Sequence, residues 1–401
     1  MTSGYPKLRS IHSFISVFEE GTITGASKAI NVSQPALTQS ILKLEKRLNV
    51  SLFYRQKRMQ PTDVGRKFYD RVKFGVRHLQ SATCQCTSKL KNVNPNIYRQ
   101  ISSSQLNALL MVFEMGSFQL AAKELRIALS TAHRSFRSLE SLLGVQLAQT
   151  SAHSVRPNAD GQRFYTLAKL ATREFRQAID DIDGWKGTFN ESFTIGALPL
   201  AQASIINKAL SAFCHEYPQV SVCVVDGTYD SMVRQMERGE IDYIIGALRE
   251  DWQHDTVDQV PLFDDPLILV ARAQHPLSKQ KKIKKIDLAT YPWIAPRKGA
   301  PSRDYFDQFY KGLNRSDTLQ QPIETGTHSV LRGLLLDSDR LALISEQQAD
   351  FELKHGILLK LGFPLVDSSR TIGYAQRKGW HPSIPQERFL DLLKRCSDRH
   401  F

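Results

Sequence analysis

From residue 8 the apolar positions recur at helical spacing. Ile11, Phe14, Ile15 and Phe18 predict an amphipathic helix that ends near Gly21. Thr22 or Thr24 can cap a second helix running through Ala26, Ala29 and Ile30, and Asn31 supplies a turn. Ser33 then reads as an N-cap, with Pro35 suited to the first turn of a third helix. In that helix Leu37, Ile41, Leu44 and Leu48 fall at intervals of four, three and four, one buried stripe. The opposite face shows Gln34, Thr38, Gln39 and Lys43. Such side chains can hydrogen-bond to base edges from a helix lying in a major groove, although the pattern alone also suits an ordinary solvated face. Leu52 and Phe53 are followed by Arg55, Lys57, Arg58 and Pro61-Thr62, a short two-stranded wing with a basic tip that can reach phosphates. The predicted unit is a winged helix-turn-helix.

The same pattern returns. Phe18, Gly21, Ala26, Lys28, Ser40, Leu44, Glu45, Leu48, Val50 and Leu52 recur 95 positions later, from Phe113 and Gly116 to Leu147. Pro61, Gly65, Phe68 and Tyr69 recur 96 positions later as Pro157, Gly161, Phe164 and Tyr165. A shared set of core, turn and charged residues at one offset marks an internal repeat. The second copy keeps the stripe as Ala132, Phe136, Leu139 and Leu143. Its surface differs: Ser33-Gln34-Pro35 becomes Ala128-Leu129-Ser130, and the basic wing tip becomes Ser151, Ala152 and His153. Thr131, His133, Arg134 and Arg137 remain as residues able to touch DNA, so this copy is expected to fold but to read with doubtful specificity.

Charge separates the copies. Residues 1–92 carry 16 basic and 5 acidic side chains, residues 93–187 carry 11 and 8, and residues 188–401 carry 26 and 27. A positive field concentrated on one folded helical segment favours a polyanion, with plain solubility the weaker explanation. No run approaches the roughly 20 apolar residues of a membrane span, and no signal-peptide core opens the chain, so a cytoplasmic protein without a membrane partner is expected. Five irregularly spaced cysteines fit a reducing compartment, and neither Cys84 nor Cys86 has a partner pair at metal-ligand spacing. His12, His78, His133, His153 and His215 form no spaced group, and Gly-x-Ser-x-Gly, Walker-type and HExxH motifs are absent. Catalysis and cofactors are therefore not expected.

The run from Phe18 to Tyr69 resembles the N-terminal domain of LysR-type transcriptional regulators. Ser33-Gln34-Pro35, Leu44-Glu45, Leu52-Phe53-Tyr54-Arg55 and Thr62-Asp63-Val64-Gly65 match that family in order, with Gly25 and Asn49 as departures where Ala and Gly are usual. The resemblance implies DNA contacts by Thr22, Thr24, Ser33, Gln34, Pro35, Thr38, Gln39, Lys43, Arg55, Lys57, Arg58 and Thr62. In the family, the helix after the winged domain pairs with its counterpart from a second chain. Here residues 65–92 and 161–187 are both such helices, so pairing within one chain competes with pairing between chains.

Beyond residue 190 strands alternate with helices. Phe193–Ala197, Val220–Val225 and Ile241–Ile245 read as strands, with helices through Ile205, Ile206, Leu210 and Phe213 and through Met232, Val233 and Met236. Leu267–Arg272 begins a second set that includes Leu341–Ile344, and the expectation is a parallel, right-handed α/β sheet. Tyr217-Pro218, Gly239-Glu240-Ile241-Asp242, Pro266-Leu267 with His275-Pro276, and the block Glu324–Ser345 resemble the two-lobed, periplasmic-binding-protein-like effector domain of the same family. Ligands in such sheets sit at strand carboxyl ends, which points to Leu198, Pro199, Leu200, Gln202, Thr228, Ser231, Ser302, Arg303, Thr325 and Thr327, each hydroxyl also readable as a plain helix cap. Leu198-Pro199-Leu200 stands where the family often has a hydroxyl for an anionic effector, leaving room for an apolar or neutral one. The lysine run Lys279, Lys281, Lys282, Lys284 and Lys285 reads as a solvated loop ahead of a second nucleic-acid site.

The expected fold class is α+β multidomain: a winged helix-turn-helix at 1–64, a linker helix at 65–98, a diverged winged helix-turn-helix at 99–160, a linker helix at 161–190 and the effector domain at 191–401. The function expected is a ligand-responsive transcription factor whose partners are double-stranded promoter DNA, a small-molecule effector, further copies of the chain and RNA polymerase. A solute-binding protein leaves the winged modules unexplained, and an architectural DNA binder leaves the sensor unexplained.

Overall fold

The computed structural model describes residues 4–55, 58–88, 90, 94–151, 154–199, 205–249, 256–314 and 320–398. It divides into two compact units that meet in sequence between Glu191 and Ser192.

In the first unit, α1 (Leu8–Glu20), α2 (Ile23–Ala29) and α3 (Gln34–Leu48) pack around Phe14, Leu37, Ile41, Leu44 and Leu48. The hairpin β1 (Phe53–Arg55) and β2 (Met59–Pro61) follows, then the long helix α4 (Asp63–Thr87). The arrangement repeats as α5 (Ser103–Met115), α6 (Phe118–Leu125), α7 (Leu129–Leu143), β3 (Ala148–Thr150), β4 (Val155–Pro157) and α8 (Ala159–Trp185).

Backbone specials repeat with the elements. Gly21, Asn31 and Asn49 hold φ of 64°, 52° and 53°, and their counterparts Gly116, Arg126 and Gly144 hold 64°, 55° and 69°. Asn tolerates this left-handed region better than most side chains, which explains how Asn49 replaces the usual Gly. Glu45 Oε1 accepts the Leu52 and Phe53 amides at 2.8 and 3.3 Å, and Glu140 Oε1 accepts the Leu147 amide at 2.8 Å. The Leu-Glu motif thus ties each third helix to its wing. Thr62 caps α4 by accepting the Gly65 amide at 3.0 Å, and Asn158 does the same for Gly161 at 2.8 Å. These caps start both long helices two residues ahead of the expected 65 and 161, and α4 stops at Thr87 rather than 92. A Cβ on Gly65 would lie 2.1 Å from the Leu52 carbonyl oxygen, and one on Gly161 would lie 1.9 Å from that of Leu147. Only glycine lets the helix approach the strand so closely.

α4 and α8 pack antiparallel along their length. Near one end Arg71 binds Asp181 at 2.8 Å and Glu174 at 3.5 Å. In the middle Gly75 abuts the Phe175 ring, and near the other end the Cys86 thiol donates to the Asp160 carbonyl at 3.3 Å. One hydrophobic core runs through both modules and both helices.

The second unit contains a nine-stranded sheet in the order β10-β9-β11-β8-β13-β7-β5-β6, with β12 (Leu358–Lys360) also paired to β8. β5 (Ser192–Ala197) runs parallel to β6 (Ser221–Val225) and β7 (Tyr243–Ala247), joined by α9 (Ile205–Glu216) and α10 (Tyr229–Glu237). β9 (Trp293–Pro296) runs parallel to β10 (Ile323–Thr325) and β11 (Leu341–Ser345), with α12 (Pro301–Lys311) and α13 (His328–Leu336) between them. The short α11 (Lys285–Ala289) precedes β9, α14 (Asp350–Lys354) precedes β12 and α15 (Ile384–Asp398) ends the described chain.

The expected all-parallel sheet is corrected. β8 runs from Val257 to Arg272 and pairs antiparallel with β13 (Ser369–Arg377), so these two strands cross from one lobe into the other. The register shifts between Ile372 and Gly373, where a Cβ on Gly373 would lie 2.2 Å from the Val260 carbonyl oxygen. The third strand begins at Tyr243 rather than Ile241. No described helix is long and apolar enough to cross a membrane.

Candidate nucleic-acid interface and ligand cleft

The outer face of α3 is open to solvent at Gln34, Pro35, Thr38, Gln39 and Lys43. Its inner stripe is fully buried, so the hydrophobic effect fixes which way the polar face points. Ser33 holds the N-cap backbone position, yet its hydroxyl takes no capping hydrogen bond. Its side chain is exposed. Thr22 is the cap of α2, accepting the Gly25 amide at 3.1 Å, while Thr24 lies inside that helix and is exposed. Thr62 is the cap of α4, its hydroxyl accepting from the Gly65 amide at 3.0 Å and donating to the Ser51 carbonyl at 2.8 Å. Arg58 is exposed beside the wing; Lys57 and the Arg55 side chain lie outside the described residues.

α7 offers a different surface. Leu129, at the position of Gln34, is 44% exposed. His133 stacks on Phe118 with ring centroids 3.9 Å apart, and Arg137 is held by Glu140 at 2.8 Å. Thr131 and Arg134 are exposed. Two of the four candidates are therefore engaged by neighbours within their own module.

In the second unit a cavity of about 260 Å³ lies at the carboxyl ends of the parallel strands. Leu198, Pro199, Thr228, Ser302, Thr325 and Thr327 line it, as the strand-end rule anticipates. Ser231 and Arg303 do not, which corrects both. The Ser231 hydroxyl accepts from Gln235 Nε2 at 3.3 Å, and Arg303 is turned to Asp307 and Glu324, each at 2.8 Å. Leu200 and Gln202 lie outside the described residues.

The sequence reading missed the charge of this cavity. Arg234, Arg249, Arg297, Lys298 and Arg370 line it against one carboxylate, Asp230, among the described residues. Arg370 is bound by buried Asp265 at 3.3 Å, and its Nε hydrogen is buried without an acceptor. Burial lowers the pKa of Arg370 and raises that of Asp265. Arg249 lies over the Tyr229 ring at 5.0 Å and donates to the Gly299 carbonyl at 2.6 Å, while Arg297 donates to the Gly227 carbonyl at 3.4 Å. Each lobe thus reaches across to the other's backbone. This lining favours an anion over the expected apolar or neutral ligand, because an excess of cations in a partly dry cleft attracts negative charge strongly.

Residues 186–397 match the model of the LysR substrate binding domain, and residues 8–66 and 103–162 each match the model of the bacterial regulatory helix-turn-helix protein, lysR family. The chain belongs to the LysR family of transcriptional regulators. It is a DNA-binding regulator with an effector-binding domain. The regulator GalR of Pseudomonas putida is 28% identical over 93% of each chain. PcaQ of Agrobacterium fabrum is 25% identical and covers 76% of this chain and 97% of its own. Among solved structures, a full-length OxyR variant from Pseudomonas aeruginosa superposes with a TM-score of 0.55 at 19% identity, covering 73% of this chain and 93% of its own. Full-length CbnR in complex with its target DNA gives 0.51 at 18%, covering 73% and 98%. These two similarities describe the fold.

Proposed function

We propose that this LysR-family chain reads double-stranded promoter DNA with an unequal pair of winged helix-turn-helix domains arisen by internal duplication. The observation that carries the reading is the antiparallel packing of α4 on α8 beneath two modules, each matched by the family's helix-turn-helix model. The duplication also accounts for the coverage of PcaQ, since the quarter of this chain outside that match is about the size of one module with its helix. The first domain spans 1–64 with a linker to 98 that contains α4, the second 99–160 with a linker to 190 that contains α8, and the two-lobed, periplasmic-binding-protein-like domain 191–401. Specificity comes from Ser33, Gln34, Pro35, Thr38, Gln39 and Lys43, with Thr22, Thr24, Arg55, Lys57 and Arg58 on phosphates. Thr131, His133, Arg134 and Arg137 add weaker, less selective contacts.

The effector is an anion held in the cleft by Arg234, Arg249, Arg297, Lys298 and Arg370 and oriented by Thr228, Ser302 and Thr327. An anion that draws Arg249 or Arg297 from the opposing carbonyl changes lobe closure, and that differential affinity is what couples effector to DNA. Further copies of the chain assemble through surfaces other than the α4–α8 seam, which the chain fills by itself. RNA polymerase in the cytoplasm is the recipient of the signal, and the chain carries out no catalysis.

Selection of genomic fragments by the purified protein, followed by footprinting at physiological salt, tests this reading. The expected motif has one sharply defined half-site for each chain and a degenerate neighbour. Absence of any sequence enrichment over random fragments overturns it.

A further inference from the structure

The entry to α7 has a surface unlike that of its counterpart α3. Ile127, Ala128 and Leu129 are three successive exposed apolar residues, with Ile127 at 38% and Leu129 at 44%. At the corresponding positions of the first module Val32 packs against the core, and Ser33 and Gln34 are polar. Single exposed apolar residues are ordinary, but an unbroken run of them is unfavourable in water and calls for a partner. The backbone of the run is fixed: the Ile127 amide donates to the Ala122 carbonyl at 3.0 Å, and the Ala128 carbonyl accepts the Thr131 and Ala132 amides at 2.9 and 3.1 Å.

Leu129 is the first residue of α7, the position from which a recognition helix meets base edges. One turn along the same face the His133 ring is stacked on Phe118, so the surface beside Leu129 is aromatic. Charge says what covers this tip. Across residues 118–137 the exposed charged side chains are Lys123, Arg126, Arg134 and Arg137 against Glu124. An apolar tip in a positive surround matches a DNA groove, whose walls carry phosphates and whose base edges carry methyl groups only at thymine. A second copy docked face to face would set the same four cations against one another.

We propose that Leu129, flanked by Ile127 and Ala128, contacts thymine C5-methyl groups in the major groove, so that the weaker half-site is selected for thymine by apolar contact. This rests on the second module being a DNA-reading head, and it gives the low selectivity of that head a cause. Burial of one methyl discriminates less than the bidentate hydrogen bonds that a residue such as Gln34 can make to adenine. The contact exists only because the modules differ, since Ser33 and Gln34 of the first copy are Ala128 and Leu129 in the second.

The test uses the full chain on a selected DNA fragment in which each thymine of the weaker half-site is replaced in turn by deoxyuridine. That change removes the methyl and keeps every hydrogen-bonding group. Burying one methyl corresponds to about fourfold in affinity, so the wild type should weaken by that factor at each contacted thymine. Leu129→Ala should bind the thymine and deoxyuridine fragments equally there. Leu129 is exposed, so the variant retains its fold, which its melting temperature checks. Hydroxyl-radical footprinting of the wild type shows whether the second module covers DNA at all. Protection that extends past the sharp half-site, with deoxyuridine without effect, overturns the proposal and leaves the two-headed reading standing. Protection confined to the sharp half-site overturns both. Deoxyuridine sensitivity that Leu129→Ala retains overturns the proposal, because the methyl contact then belongs to another residue. Loss of self-association by Leu129→Ala with unchanged DNA affinity overturns it too, and makes the tip an interface between copies.

Discussion

Replacing Arg71 with Met tests the seam between α4 and α8. Arg71 is 8% exposed, binds Asp181 at 2.8 Å and lies 3.5 Å from Glu174, which is 1% exposed. The neighbouring carboxylates hold Arg71 above its ordinary pKa despite burial, so the guanidinium is charged wherever the protein folds. Met fills much of the same volume but leaves Glu174 buried beside apolar surface without its cation. Removing one member of a buried ion pair costs about 3–5 kcal/mol. Since 1.36 kcal/mol is tenfold in an equilibrium, amide protection across residues 63–87 and 159–185 should fall by roughly two to four orders of magnitude in hydrogen exchange. Arg71→Met/Glu174→Leu should recover most of that loss, because an apolar pair of similar volume is often as stable as the ion pair it replaces. A fall below about fivefold in the single variant, or no recovery in the double, refutes the reasoning: the first means Glu174 finds water when its partner is gone, the second that the loss does not come from Glu174.

Three further outcomes follow from the same geometry. Gln34→Ala/Thr38→Ala should abolish discrimination between selected and scrambled DNA, while Arg134→Ala/Arg137→Ala lowers affinity for both; equal loss of discrimination in a competition gel sinks the idea of one dominant head. Gly65→Ala drives a Cβ to 2.1 Å from a backbone oxygen and should cost about 3 kcal/mol in urea unfolding, whereas Gly25→Ala meets only side-chain atoms at 2.9 Å or more and should stay within about 1 kcal/mol. Asp180 is pushed up to about 6, by burial first and then by Asp181 and Asp183. Its contribution to stability is therefore present below about pH 4 and lost as pH rises through 6, so Asp180→Asn should stabilise by about 1–3 kcal/mol at pH 8 and by nothing at pH 4, read from melting temperatures.

The helical half was legible because its signals are local. The stripe Leu37, Ile41, Leu44 and Leu48, the glycine ending α1 and the Asn31 turn each act within a few residues, and the repeat supplied the stripe and the glycine twice, with Arg126 in the place of Asn31. β8 was read only from Leu267 because Pro261, Asp264, Asp265 and Pro266 interrupt its alternation, and pairing with β13 overrides that local signal. The cationic wall of the cleft was invisible for another reason. Arg234, Arg249, Arg297 and Arg370 sit on separate elements whose own patterns are ordinary, and only folding brings them together. Ser231 shows the converse: three residues after the lining residue Thr228, it lies in the first turn of α10, where its hydroxyl accepts from Gln235 Nε2 at 3.3 Å.

The central claim is that one chain supplies both members of the helix pair. Energy transfer between a donor on an exposed site of α4 and an acceptor on an exposed site of α8 tests it, measured in doubly labelled chains diluted tenfold with unlabelled protein and allowed to exchange. Pairing within the chain predicts transfer unchanged by dilution and absent from mixtures of singly labelled chains. Transfer that falls with dilution and appears in those mixtures contradicts it.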